Sequence, residues 1–235
     1  MNITERLAEQ RARLAQAARS VGRDPAAIKL IAVSKRHSLD AIRQAYAAGQ
    51  RDFGENYVQE LAEKAEQLRD LPDIAWHMIG HLQSNKARLV APLAFAVHTV
   101  SSLSLAAELG KRARARVADA HRQVPSAPII TLVEVNVSGE SSKSGCTPAE
   151  LPRVLQAIEA EEGLKLAGLM TMPPFDDDAE RARPYFEQLC ALREQYGGQA
   201  RLPELSMGMS HDMPVAVACG ATMVRIGTAI FGERS

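Results

Sequence analysis

Eight short β-branched or apolar runs, separated by longer Ala/Leu/Glu/Arg stretches, recur along this chain from one end to the other. The alternation constrains the fold more than any other feature, because successive strands separated by helices lie parallel and connect by right-handed crossovers. The runs fall at 28–34, 52–55, 74–80, 95–100, 129–137, 164–171, 204–207 and 223–226. Helix-like segments occupy 39–48, 57–68, 84–90, 103–120, 148–161, 179–196 and 212–219. Ser38 caps the first, Thr147-Pro148 opens another, and Gly49 and Gly163 follow helix ends. A closed barrel and an open doubly wound sheet both satisfy this pattern. The open sheet usually carries a Gly-rich turn after its first strand, whereas here the strand runs into Val33-Ser34-Lys35-Arg36. The α/β reading is therefore a single (β/α)8 TIM barrel. It uses residues 1–235 as one domain, with an extra amphipathic helix at about 2–20.

Composition removes several function classes. Lys+Arg and Asp+Glu are both 28, so no basic excess exists for general nucleic-acid binding. Aromatic residues are 4% of the chain, too few for a stacking platform. Cys146, Cys190 and Cys219 are odd in number and far apart, which fits neither a disulfide framework nor a metal knuckle but does fit a reducing compartment. The first residues have no apolar core of the signal-peptide kind, and no run approaches the roughly 20 residues that cross a bilayer. The expectation is a soluble, cytoplasmic protein without membrane or nucleic-acid partners. Basic stretches at 111–116 and in the N-terminal helix read as solvated outer faces.

In such a barrel the working residues sit at the C-terminal strand ends and in the loops that follow. Lys35 ends the first strand, where partial desolvation lowers an ammonium pKa and frees the amine to attack a carbonyl. A plain surface lysine is the competing reading. Asn56, after the second strand, could bond a ligand or cap the next helix. His77 and His81 are four apart, but strand-and-turn geometry and the lack of a nearby carboxylate or thiol argue against a metal site. Glu134 and Asn136 share a strand face by period two, and a buried carboxylate there needs a charged partner or a ligand. Near the end, Ser206-Met207-Gly208-Met209-Ser210 leads into a helix, where N–H groups could face an anion. Arg225-Ile226-Gly227-Thr228 closes the eighth strand with a guanidinium, a glycine and a hydroxyl. These last two loops are where barrels of this type commonly hold phosphate. With a lysine on the neighbouring first strand, they favour a phosphate-bearing carbonyl ligand.

The stretches IAVSK, FGENYVQE, WHMIGHLQSNK, VEVNVSGESSKSG, GLMTMPP and LSMGMSHDMPVAVACGATMVRIGTAIFG resemble, in order, the YggS/PROSC family of pyridoxal phosphate homeostasis proteins. Met78 stands where that family often has Phe. The resemblance implies a barrel similar to the N-terminal domain of alanine racemase (fold type III). It further implies that pyridoxal 5′-phosphate (PLP) forms an aldimine with Lys35. The phosphate would fall to Ser206, Met207, Ser210, Gly227 and Thr228, with Arg225 near the pyridine nitrogen and Asn56 beside the ring. A permanently charged guanidinium there disfavours protonation of the nitrogen and makes the ring a weak electron sink.

Racemases of this fold take a second proton-transfer group, a Tyr, from a separate β-domain, and no such domain is expected here. That points to a monomeric protein that holds PLP or transfers it to apo-enzymes and keeps B6 vitamers and amino and keto acids in balance. The alternative is a racemase-like enzyme using His81, His211 or Tyr57 as second acid/base. A third reading is a PLP-independent barrel whose Lys35 forms an imine with a sugar phosphate.

Overall fold

The computed structural model describes residues 1–117, 127–140 and 143–233. Eight parallel strands close into a barrel in chain order, β1 (Lys29–Val33), β2 (Asp52–Glu55), β3 (Ala75–Met78), β4 (Ala96–Val100), β5 (Ile129–Glu134), β6 (Leu164–Met170), β7 (Glu204–Ser206) and β8 (Met223–Ile226). Closure is made by β1 against β8, with Ile31 opposite Arg225 and Ala32 opposite Ile226. The chain therefore adopts a TIM barrel, the closed one of the two architectures that the alternation of runs allows.

The helices are α1 (Ile3–Ser20), α2 (Leu39–Ala47), α3 (Val58–Gln67), α4 (Ala87–Val90), α5 (Leu103–Val117), α6 (Leu151–Glu159), α7 (Arg183–Gln195), α8 (Gly198–Arg201), α9 (Met213–Ala218) and α10 (Thr228–Phe231). The N-terminal helix starts in a capping box, Asn2 accepting from the Glu5 N–H and Glu5 from the Asn2 N–H. Its buried Leu7, Leu14 and Ala18 lie on one stripe, and it packs on α2, α9 and α10. Ser38 caps α2 by accepting from the Ala41 N–H. The helix expected from Pro148 begins only at Leu151, because Thr147 and Glu150 first close a reciprocal turn. The expected helix at 103–120 runs through α5, and its last three residues lie outside the described ones. Four-residue helices α8 and α10 carry too little periodicity to be read in advance.

Strand alternation divides the buried residues into two layers. Leu30, Ala32, Phe53, Trp76, Met78, Val97, Val133, Leu169, Leu205, Val224 and Ile226 belong to one continuous apolar core beneath the helices. The intervening positions face the lumen. That lumen holds Ile31 and Leu132 but also Lys29, Asp52, His77, His98, Glu134, Ser206 and Arg225. A polar lumen is a costly arrangement unless its groups satisfy one another.

Candidate functional site at the barrel mouth

They do so in a single file. His77 Nε2 lies 3.0 Å from Asp52 Oδ1, His77 Nδ1 2.9 Å from His98 Nε2, and His98 Nδ1 2.9 Å from Ser206 Oγ. Arg225 closes the file, donating to Ser206 Oγ at 2.7 Å and to the Thr171 carbonyl at 3.0 Å. One end is an acceptor-only carboxylate and the other a donor-only guanidinium, so every hydrogen points the same way. The Ser206 hydroxyl donates to His98, His98 to His77, and His77 to Asp52, with both imidazoles neutral. Burial favours that neutrality. Desolvation pulls His77 below its usual range, and His98 falls further because desolvation is joined by His77, Arg225 and Lys29. At the other end, burial alone would raise Asp52, but the bonds from His77 and Lys29 outweigh it and hold it ionised.

The file ends at the mouth, where the expected ligand residues gather on four neighbouring strands, β7, β8, β1 and β2. Arg225 is 4% exposed, and desolvation lowers its guanidinium to about 10 while Asp212 and Glu134 oppose the fall. It therefore stays charged at neutral pH. Lys35 is half-buried, in a turn two residues beyond the end of β1, so the strand stops one residue earlier than expected. Ile31 and Val33, on the strand that leads to it, line the lumen side. Gly227, just past β8, approaches this same strand end: a Cβ there would stand 3.4 Å from Val33 Cβ.

Asn56 resolves its two readings. The cap position of α3 is Tyr57, which makes no side-chain cap bond, and buried Asn56 Oδ1 has no hydrogen-bond partner among the described residues. The helix is uncapped by Asn56, and its amide oxygen is left for something else. The local backbone explains Gly80, since a Cβ at that position would meet the Asn56 carbonyl oxygen at 2.1 Å.

Among the remaining expected residues, Ser210 is half-buried in the turn before α9 and Thr228 is exposed at the first position of α10. The N–H groups of Ser210, Gly227 and Thr228 donate to no carbonyl among the described residues. Two positions are committed elsewhere. The Ser206 hydroxyl serves the file, and Met207 is fully buried in the apolar core with its N–H given to the Met223 carbonyl. Any contact they make with a ligand at the mouth must share or exchange these bonds.

Glu134 faces the lumen at the end of β5 and is 4% exposed; desolvation raises its carboxyl to about 7, against the pull of Arg225. Its Oε2 has no partner among the described residues. Asn136, expected on the same face, instead staples the following loop, accepting from Ser138 Oγ and the Gly139 N–H and donating to the Glu140 carbonyl. The reason is that β5 ends at Glu134, where Cys146 N–H takes the Glu134 carbonyl and the alternation breaks. His77 is buried in the file and His81 is exposed, and no group of three metal-ligating side chains occurs among the described residues. Tyr57 is 47% exposed beneath Arg36, and exposed His211 bonds the Asp177 carbonyl.

Sequence reasoning missed Asp212 and a buried cluster behind the sheet. Asp212 precedes α9 in a capping position but turns back to accept from the Met209 N–H at 2.6 Å. A cavity of about 490 Å³, bordered by Leu14, Lys29, Gln50 and Asp52, opens at the opposite, N-terminal face and touches only the far end of the file.

Two unpaired buried oxygens, a buried guanidinium, a half-buried amine and three undonated N–H groups fit a small ligand with an aldehyde, a ring and an anionic tail. Fold and mouth together define the class: a TIM barrel with polar side chains gathered at the C-terminal ends of β7, β8, β1 and β2. The chain belongs to the alanine racemase N-terminal domain family, which matches residues 6–235, and within it to the pyridoxal phosphate homeostasis proteins. It is 45% identical to the pyridoxal phosphate homeostasis protein of Pseudomonas aeruginosa over 99% of this chain and 96% of that one. Two structures of PipY from Synechococcus elongatus PCC7942 superpose on it. The one without PLP has TM-score 0.82 and 40% identity, and the one with PLP bound has TM-score 0.80 and 38% identity. Each covers 98% of this chain and 100% of PipY.

Proposed function

We propose that this chain binds PLP at the barrel mouth through Lys35 and holds it reversibly, so buffering B6 vitamers and the amino- and keto-acid pools that depend on them. The neutral Lys35 amine condenses with the cofactor aldehyde, releasing one water, and hydrolysis reverses the step. Arg225 stands against the ring nitrogen, Asn56 against the ring, and Ser206, Met207, Ser210, Gly227 and Thr228 around the phosphate. The observation that carries this reading is the unpartnered Asn56 Oδ1, buried one residue past the end of β2, the strand that pairs with β1. PLP bound in PipY, 38% identical, supports it independently.

Holding is favoured over turnover because the candidate second acid/bases, His81, His211 and Tyr57, all stand exposed on the surface. The reading extends to a cytoplasmic monomer that passes PLP to apo-enzymes. Among the described residues no helix is long and apolar enough to cross a membrane. An absorbance scan of purified protein with PLP should show an imine band that borohydride removes and Lys35→Ala abolishes. A band that survives Lys35→Ala overturns the proposal. Solvent deuterium appearing at the α-carbon of added amino acids, at a rate of about 1 s⁻¹ or above, would replace it with the racemase-like alternative.

A further inference from the structure

The turn that presents Lys35 is held from behind by charges outside the lumen. Arg36 adopts φ 60°, the one left-handed non-glycine conformation among the described residues. An L side chain pays for that geometry, so something must fix it. Both neighbours of Lys35 are tied to α3. Lys64 Nζ donates to the Ser34 carbonyl at 2.6 Å, to Glu55 Oε1 at 2.8 Å and to Glu60 Oε1 at 2.7 Å, which uses all three ammonium hydrogens. Glu60 Oε1 also accepts from the Arg36 N–H at 2.5 Å, and Glu55 Oε1 from the Ser34 hydroxyl at 2.6 Å. Lys64 is 6% exposed and Glu55 is fully buried.

An ordinary helix lysine would leave its charge in water. This one is sunk between the sheet and α3, and its partners are the backbone on one side of Lys35 and, through Glu60, the backbone on the other. Breaking that knot would release the 34–36 turn from its left-handed state.

We propose that Lys64, acting with Glu55 and Glu60, is a positioning residue that sets where the Lys35 amine stands. The inference rests on the reading of Lys35 as the residue that joins the cofactor aldehyde. It assigns these three groups no contact with the ligand.

The test uses the full-length apo-protein and two probes, PLP and pyridoxine 5′-phosphate, an alcohol that fills the same shape but cannot form an imine. Lys64→Met and Glu60→Gln should weaken PLP binding by about tenfold or more, the cost of a displaced reacting group. Both should slow appearance of the imine band and leave the affinity for the alcohol unchanged. Equal weakening for both probes would mean the knot only supports the fold, and no change for either would mean it does not position the amine. Either result overturns the inference. Should Lys64→Met fail to fold, Glu60→Gln decides alone, since it keeps the Lys64–Glu55 pair. Lys35→Ala separates the two levels: if that variant keeps the band, the reading of Lys35 fails, whereas its loss with unaltered Lys64 and Glu60 variants sinks only the positioning role.

Discussion

Behind β1 and β2 a full lysine charge is held between two carboxylates, whereas inside the barrel two imidazoles stay neutral between a carboxylate and a guanidinium. Both clusters are buried, yet they bear that burial differently. In the lumen the charges are pushed to the two ends, and each internal imidazole or hydroxyl donates one bond and accepts one. Behind the sheet the charges touch directly, and Glu55 Oε2 is left without a partner among the described residues. Desolvation raises the Glu55 carboxyl even with Lys64 beside it. The lumen file should therefore tolerate loss of one member as loss of a hydrogen bond, while the knot should fail as an uncompensated charge.

The largest expected effect tests that contrast directly. Lys64→Met should cost about 3–5 kcal/mol in urea denaturation, because it strands a buried carboxylate. Adding Glu55→Gln should recover part of the loss, as a partner-dependent penalty must. A single-variant cost under about 1 kcal/mol would place the knot among ordinary surface ion pairs and break the comparison.

Glu134 supplies the next effect, from the lumen side. Its folded pKa of about 7 lies above the ordinary 4.5, so the native state keeps a proton that the unfolded chain has already lost between those values. Stability must then fall as pH rises through that window and level off above it. The slope integrates to on the order of 3 kcal/mol, and Glu134→Gln should remove it. Urea midpoints at pH 5 and pH 8 measure this: the variant should gain on the parent at the higher pH, and parallel behaviour would contradict the assigned burial.

Within the file, Ser206→Ala removes a donor to His98 and an acceptor for Arg225 and should cost about 1–3 kcal/mol. Ser34→Ala, which loses one bond to Glu55, should cost less when the two variants are compared by urea denaturation. The reverse order would mean that the knot, and not the lumen, depends on its hydroxyl.

The two clusters also differ in how far they could be read in advance. Each of the eight strands lies within its expected run, because burial on both faces leaves an apolar signature in a parallel sheet. The mouth positions were legible for a related reason, since closure order places the ends of β1, β2, β7 and β8 side by side. The file was not, because its bonds join residues 21 and 108 positions apart. No local spacing announces that His98 will meet Ser206. The knot left one faint trace, Glu60 and Lys64 at i, i+4, which is the commonest pattern of an exposed helix face and so pointed the wrong way. Asn56 was ambiguous for a local reason as well: Asn before a helix favours capping, and only the unbonded amide oxygen shows that here it does not cap.

The smallest effect concerns the left-handed residue that the knot restrains. Arg36→Gly should relieve about 1 kcal/mol of backbone strain. Against this stand the extra freedom of glycine in the unfolded chain, about 0.5–1 kcal/mol, and the loss of the guanidinium from its place 5.6 Å over the Tyr57 ring. These nearly cancel, so urea denaturation should detect little change. The hydrogen bond from the residue 36 N–H to Glu60 survives the substitution, since it belongs to the backbone. The turn should therefore keep its shape, and the PLP affinity should stay close to that of the parent, in contrast to Glu60→Gln. If Arg36→Gly instead weakens the imine as much as Glu60→Gln does, the Arg36 side chain, and not the buried charges, is what steadies the turn, and the division of labour between the two clusters has to be redrawn.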